Sequence, residues 1–290
     1  MTWLPLALVL SSGLAHAAWN LLLKRSHNQE VFAWLLLIAQ VVLFAPLAVF
    51  LISIGGIQTQ GWWFILGTSL IHVFYFLFLS RSYIHTDLSL AYPIARGTGP
   101  ALVPLIGVIA LGENITDLAI IGIMSIVGGI FTAYWGRQIL LITREPSKLL
   151  KDPGTKYALL TGLTITAYSI WDKIGVSYVT PMLYMYLLSL GASTGLAPYI
   201  LLRHEVKGIQ KELQFNLARI LVAAVLAFFA YAAVLMALRL SNVSYVAPAR
   251  EIGIVFSVLL GGIVLKESFS KERVIGAIAI TIGVFLIAIG

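Results

Sequence analysis

Cysteine is absent from this 290-residue chain, which removes disulfides, thiolate metal sites and iron–sulfur clusters together. Charge is scarce as well: only 11% of residues are Asp, Glu, Lys or Arg, against roughly 25% in a soluble domain, so a fully water-facing surface is excluded. No Gly-rich phosphate-cradling loop and no HExxH or paired His/carboxylate motif occurs, so ATP-driven pumping, metal catalysis and a resident cofactor have no support in the sequence. What is present is apolar: 60% hydrophobic residues and a mean hydropathy of +0.96. The chain reads as an all-α membrane protein.

Apolar runs broken at charge, Gly, Pro and Asn clusters predict ten transmembrane helices, each long enough for a hydrocarbon core of about 30 Å. They cover 3–23, 31–54, 62–84, 88–111, 117–135, 157–175, 182–202, 217–239, 245–265 and 273–289. Ala15-His16-Ala17 mimics a signal-peptidase site, but no basic stretch precedes it, and the first span is expected to be retained. The longest connection carries Arg137, Arg144, Lys148, Lys151 and Lys156, dividing the chain into a first repeat (1–136), a basic linker (137–156) and a second repeat (157–290). Residues 203–216, with Arg203, Lys207 and Lys211, are expected to form a short interfacial helix.

The net charge of +7 invites a nucleic-acid reading, but the basic residues sit in interhelical loops, where the positive-inside rule explains them; no nucleic-acid partner is expected. Apart from Lys173, Arg239, Arg96 and Arg250, every Lys and Arg falls at loops that follow odd-numbered spans. The rule places those loops in the cytoplasm and both termini outside.

The chain also repeats itself. Gly13, Ala18, Trp19, Asn20 and Lys24 align with Gly162, Ala167, Tyr168, Ser169 and Lys173 at an offset of 149. Arg96, Gly99, Leu111, Glu113 and Gly122 align with Arg250, Gly253, Leu265, Glu267 and Gly276 at 154, whereas Ser89 and Pro93 align with Ser244 and Pro248 at 155. The second copy is one residue shorter between Pro and Arg. Because each copy has an odd number of spans, the two enter the membrane from opposite sides, the geometry of inverted repeats that exchange access to a central cavity.

The tandem halves, the stretch Leu90-Ala91-Tyr92-Pro93-Ile94-Ala95-Arg96-Gly97, the Leu-Gly-Glu at 111–113 answered by Leu-Lys-Glu at 265–267, and the Gly-rich fifth and tenth spans resemble the EamA branch of the drug/metabolite transporter superfamily. Ala15 to Asn20 with Lys24 is more loosely similar to a subgroup associated with phosphonate utilisation. The resemblance implies spans one to four and six to nine around a central cavity, with five and ten to one side. It also implies cytoplasmic termini, opposite to the charge bias.

Arg96 and Arg250 lead the candidate substrate-binding residues, because a guanidinium inside a span costs about 2.5 to 3.5 kcal/mol on insertion scales and marks a cavity or a partner. As a pair they would clamp a carboxylate, phosphate or phosphonate; the alternative is a structural role, capping broken helix carbonyls or pairing with Glu251. Glu251, read as the one acid well inside a span, is either a proton-coupling residue or a fixed counter-ion, with Arg96 as a cross-bundle partner. His16 and Asn20 share a helical face with Ser12 and Lys24 and are candidates for hydrogen-bonding the substrate; His16 is also a second coupling candidate, and interhelical hydrogen bonding is the bland alternative. His72 and Tyr75 in the third span, with Tyr92 and Tyr168, are cavity-lining candidates, and Tyr231 a weaker one; in the sixth span Trp171 and Asp172 cluster with Tyr168 near Lys173. Glu113 and Glu267 read as structural turns, followed by Thr116 and Ser270 as N-caps. Gly122, Gly128, Gly129, Gly276 and Gly283 offer close helix contact and a candidate homodimer face.

The functional expectation is a secondary transporter of the bacterial inner membrane, not an enzyme, moving a small anionic or zwitterionic metabolite by alternating access, with proton coupling as an option. An intramembrane lipid-modifying enzyme and a receptor or scaffold are the alternatives.

Overall fold

The computed structural model describes residues 1–85, 88–135, 152–266 and 270–290. Most of the expected basic linker, and Glu267, lie outside the described residues. Every regular element among the described residues is an α-helix. The first half holds α1 (Trp3–Lys24), α2 (Gln29–Gly55), α3 (Thr59–His85), α4 (Leu88–Leu111) and α5 (Asp117–Trp135). The second holds α6 (Pro153–Gly175), α7 (Pro181–Arg203), α8 (Val206–Leu240), α9 (Val243–Ala249), α10 (Ile252–Leu265) and α11 (Lys271–Ile289).

Local chemistry sets the ends. The Asn28 side chain accepts from Val31 N, and Asp152 from Thr155 N, with Pro153 in the first turn where no amide hydrogen is needed. Thr116 Oγ1 accepts from Ala119 N and Ser270 Oγ from Arg273 N, as N-caps. Gly112, at φ 66°, closes α4, and its repeat mate Lys266 turns left-handed at φ 55° to end α10. A lysine there gives up roughly 1 kcal/mol or more that a glycine would not. The helix stop is thus preserved in both copies although the residue suited to it occurs in one.

The two halves interlock crosswise. α1 packs on α8 and α10, α6 packs on α3 and α4, and α2 packs on α7. A Cβ on Gly13 would lie 2.8 Å from Ile252 and 3.1 Å from Gly253 N, and a Cβ on Gly162 would lie 2.4 Å from Thr98, next to Gly99. The glycines matched by the repeat are therefore the points where each half enters the other. Between α5 and α11 a Cβ on Gly122 would meet Gly283 O at 2.6 Å, and one on Gly129 would meet Gly276 O at 2.8 Å. Position 122 opposite 283 and 129 opposite 276 means that these helices run antiparallel, as inverted copies require. The glycine face considered for a homodimer is thus covered from within the chain; Gly128 alone of the five meets nothing within 4 Å.

Two expectations need correction. Residues 206–216 do not form a separate interfacial helix but are the first turns of α8, whose 35 residues make a rod of about 52 Å at 1.5 Å per residue, well beyond the hydrocarbon thickness. The ninth span is not continuous: it breaks at Arg250 and Glu251. Three-residue hydrogen bonds run there from Glu251 N to Pro248 O and from Gly253 N to Arg250 O. The missing residue before Arg250 would rotate everything after it by about 100° on a regular helix, and a tight turn absorbs that phase error. Among the described residues nine spans are long and apolar enough to cross a membrane, counting Val243–Val264 as one, and the remaining expected span, α6, is a helix in its expected place that falls short of that measure. It carries Thr161, Thr166, Ser169 and Asp172, all buried, so neighbouring helices replace lipid around much of its surface.

Gly122→Val should lower the apparent melting temperature in detergent by an amount equivalent to roughly 1 to 3 kcal/mol, because backbone blocks the new side chain, whereas Gly128→Ala should be neutral or raise it. Equal tolerance at both positions would contradict the packing described.

Candidate functional site

Arg96 projects from α4 and Glu251 from the break before α10, so their meeting joins the halves. Arg96 Nη2 lies 3.0 Å from Glu251 Oε2, with side chains 9% and 5% exposed. The contact is close in charge but not aligned as a hydrogen bond: Arg96 Nε and Glu251 Oε2 are both buried without a hydrogen-bond partner. Of the expected roles of Glu251, the arrangement contains the cross-bundle ion pair. No part of either group reaches the outer face of the bundle, since Arg96 and Glu251 are buried within it.

Arg250, the repeat mate of Arg96, is held differently. Its Nη2 donates to Tyr168 Oη at 3.4 Å, and its guanidinium lies 5.3 Å from the Tyr231 ring centroid and 5.9 Å from that of Tyr168. It forms no ion pair with a carboxylate among the described residues. Aromatic faces attract a cation without neutralising it, so the half-buried Arg250 keeps a full charge available to an anion.

Around these groups stands a wall of rings. His72 stacks on Tyr168 at 4.5 Å, Tyr75 meets Tyr168 edge-on at 6.0 Å, and Tyr231 lies 5.8 Å from His72 and 6.2 Å from Tyr168. His72 Nδ1 lies 2.9 Å from Thr68 O and 3.2 Å from Thr68 Oγ1, which anchors the ring to its own helix. Thus His72, Tyr75 and Tyr168 are brought together with Arg250. Tyr92 packs on Tyr134 at 4.9 Å, one helical turn before Arg96. His16 is within electrostatic reach of both guanidinium groups, and its Nδ1 accepts from Trp19 Nε1 at 3.2 Å. Asn20 is not brought into the ring wall: its Nδ2 donates to the His16 carbonyl at 2.7 Å, within α1.

Glu251 is not the only buried acid, as sequence reasoning had it. Asp172 in α6 is wholly buried and accepts from Tyr231 Oη at 2.5 Å and Tyr184 Oη at 2.7 Å. Its spacing of four from Tyr168 was the available signal, since it places both on one helical face. The neighbouring charge on Lys173 had disguised it as part of a helix end. Lys173 instead turns away and caps α8, its Nζ donating to Leu238 O at 2.6 Å and Ser241 O at 2.8 Å.

At the same end of the bundle Glu113 acts as the structural turn expected of it. Its carboxylate accepts from Val243 N at 2.8 Å, Ser244 N at 2.9 Å and Ser244 Oγ at 2.5 Å. An anion from the first half thereby caps the start of α9 in the second. A cavity of about 480 Å³ lies beside it, lined by Glu113, Asn114, Lys173 and Asn242, away from the arginines.

The repeat seen in the packing has a counterpart in known proteins. The profile of the EamA-like transporter family matches residues 2–135 and again residues 152–289. The chain belongs to that family. It is accordingly a multi-pass membrane protein of a transporter family, with small molecules as the family's cargo. No curated protein sequence matches it significantly. A solved crystal structure superposes with a TM-score of 0.71 over 97% of both chains at 16% identity, a likeness of fold alone.

Proposed function

We propose that this EamA-family protein is a secondary transporter of a small anionic or zwitterionic metabolite, and that Arg250 is the group that meets the substrate's negative charge. The single observation that carries this reading is the unequal treatment of two repeat-related guanidiniums. Arg96 is spent on Glu251 at 3.0 Å, whereas Arg250 is bracketed by Tyr168 and Tyr231 with no carboxylate on it. A cation held this way favours an incoming carboxylate or phosphonate over a neutral or cationic molecule. The rings of Tyr75, His72 and Tyr168 supply an apolar flank for the remainder of the substrate. In this reading Glu251 is a fixed counter-ion, and His16 remains the candidate for proton coupling. Interlocked, oppositely threaded halves suit alternating access, because exchanging their conformations moves the opening and not the site.

The bacterial inner membrane, with the loops after odd-numbered spans in the cytoplasm, is the location that the charge bias favours. Both Ser177 and Gln210 are exposed, and they lie at opposite ends of the bundle, so the cysteine-free chain gives a clean test. In intact cells a membrane-impermeant maleimide should label Ser177→Cys and leave Gln210→Cys unlabelled until the cells are opened. The reverse pattern would invert the orientation.

A thermal-shift screen of the purified protein over amino acids, phosphonates, nucleobases and sugar phosphates should find stabilisation by members that carry a carboxylate or phosphonate. Arg250→Gln should then weaken binding of the best ligand by roughly 30-fold or more, the usual cost of removing one partner of a buried charge contact. Undiminished binding in Arg250→Gln rejects Arg250 as the anion contact.

A further inference from the structure

We propose that Asp172 is the remote counter-ion of Arg250, its charge conveyed through the Tyr231 phenol and not placed on the guanidinium. Three observations converge on this. Asp172 is a carboxylate with no exposure whose two oxygens are each met by a phenol, Tyr231 Oη at 2.5 Å and Tyr184 Oη at 2.7 Å. The cation next to it in sequence does not serve it, because Lys173 Nζ is committed to the carbonyls of Leu238 and Ser241. The phenol that donates to Asp172 is the one whose ring lies 5.3 Å from the Arg250 guanidinium. Carboxylate, phenol and guanidinium therefore form one chain across α6, α8 and the break before α10.

Each link strengthens the next. A hydroxyl donating to an ionised carboxylate makes a short, charge-assisted bond. The electron density returned to the ring makes its face a better seat for a cation. The buried centre then holds two acids and two guanidiniums in two unlike pairs, one in contact (Arg96 with Glu251) and one separated by a ring (Arg250 with Asp172). The repeat sharpens the point. Arg96 and Arg250 correspond to each other, but Glu251 corresponds to Gly97 and Asp172 to Leu23, so both acids belong to the second half alone. A counter-charge set behind a ring offsets the cost of burying Arg250 while leaving its hydrogen-bonding edge open. That last consequence rests on the transport reading given above; the charge pairing itself does not.

The test is a stability cycle on the full purified chain in detergent, comparing wild type, Arg250→Gln, Asp172→Asn and the double variant by thermal unfolding. Each single change strands a buried charge and should lower the apparent midpoint by roughly 5 °C or more, and the double should recover at least half of the combined loss. Should Asp172→Asn alone yield no folded protein, recovery of folded material in the double variant is the supporting result, and its failure the contradicting one. In a Tyr231→Phe background, which keeps the ring but cuts the bond to Asp172, the recovery should shrink. Additive losses would overturn the pairing and leave Asp172 a hydrogen-bond acceptor only. A recovered cycle combined with ligand binding that Arg250→Gln leaves unchanged would uphold the pairing and sink the transport reading instead.

Discussion

The arrangement of this bundle is governed by the expense of placing guanidinium groups deep inside a bundle of apolar helices. An ion taken out of water loses several kcal/mol even after its surroundings relax, so every buried charge must find compensation. Arg96 finds it in Glu251, across the interface between halves. Arg250 finds aromatic faces, and those rings are positioned by α3, α6 and α8. The break at Arg250 and Glu251 is part of the same solution, because it turns two consecutive side chains toward different partners on what would otherwise be one regular helix.

A second constraint, close approach of backbones, holds the frame in which those charges meet. Without hydrophobic expulsion by water, helices within a membrane associate through packing and hydrogen bonds, and glycine allows the closest packing. Gly13 on α1 and Gly162 on α6 admit the helices that carry Arg250 and Arg96 respectively, so each arginine is inserted by a glycine of the opposite half. α5 and α11 form a separate antiparallel pair to one side through Gly122, Gly129, Gly276 and Gly283. The backbone is thus nearly symmetric and the chemistry is not. The buried acids Asp172, Glu212 and Glu251, the helix break and the capping by Lys173 belong to the second half, while Glu113 crosses from the first half to cap α9.

Much of this was legible in the sequence, for identifiable reasons. Spans follow from hydropathy because lipid forces each segment to satisfy its own backbone, and the repeat follows from residues fixed by packing, namely glycines and prolines. The Arg96–Glu251 pair was among the readings because charge inside a span demands a partner. Asp172 was grouped with Tyr168 and Trp171 but not read as a buried acid, because it borders Lys173 near a helix end, where charge is ordinary; only the fold reveals that the lysine faces the α8 carbonyls. A broken helix was an option at both arginines, and the sequence did not say which would break, because α4 tolerates Pro93, Pro100 and Pro104 without interruption. The continuity of α8 was missed because its polar first turns resemble a loop, whereas Glu212 and Asn216 are buried there, with Glu212 accepting from Asn28 N. The glycine faces were read correctly as contacts, but hydropathy cannot say whether the partner is another helix or another copy.

The central claim, that the interior presents a cation on Arg250 with no carboxylate in contact with it, is tested most directly by the rates at which charged thiol reagents reach it. With Tyr75→Cys as the only thiol, a negatively charged thiosulfonate should react faster than a positively charged one of similar size, and adding Arg250→Gln should reduce that preference by about tenfold. A preference that is absent, or that survives Arg250→Gln intact, would contradict the account.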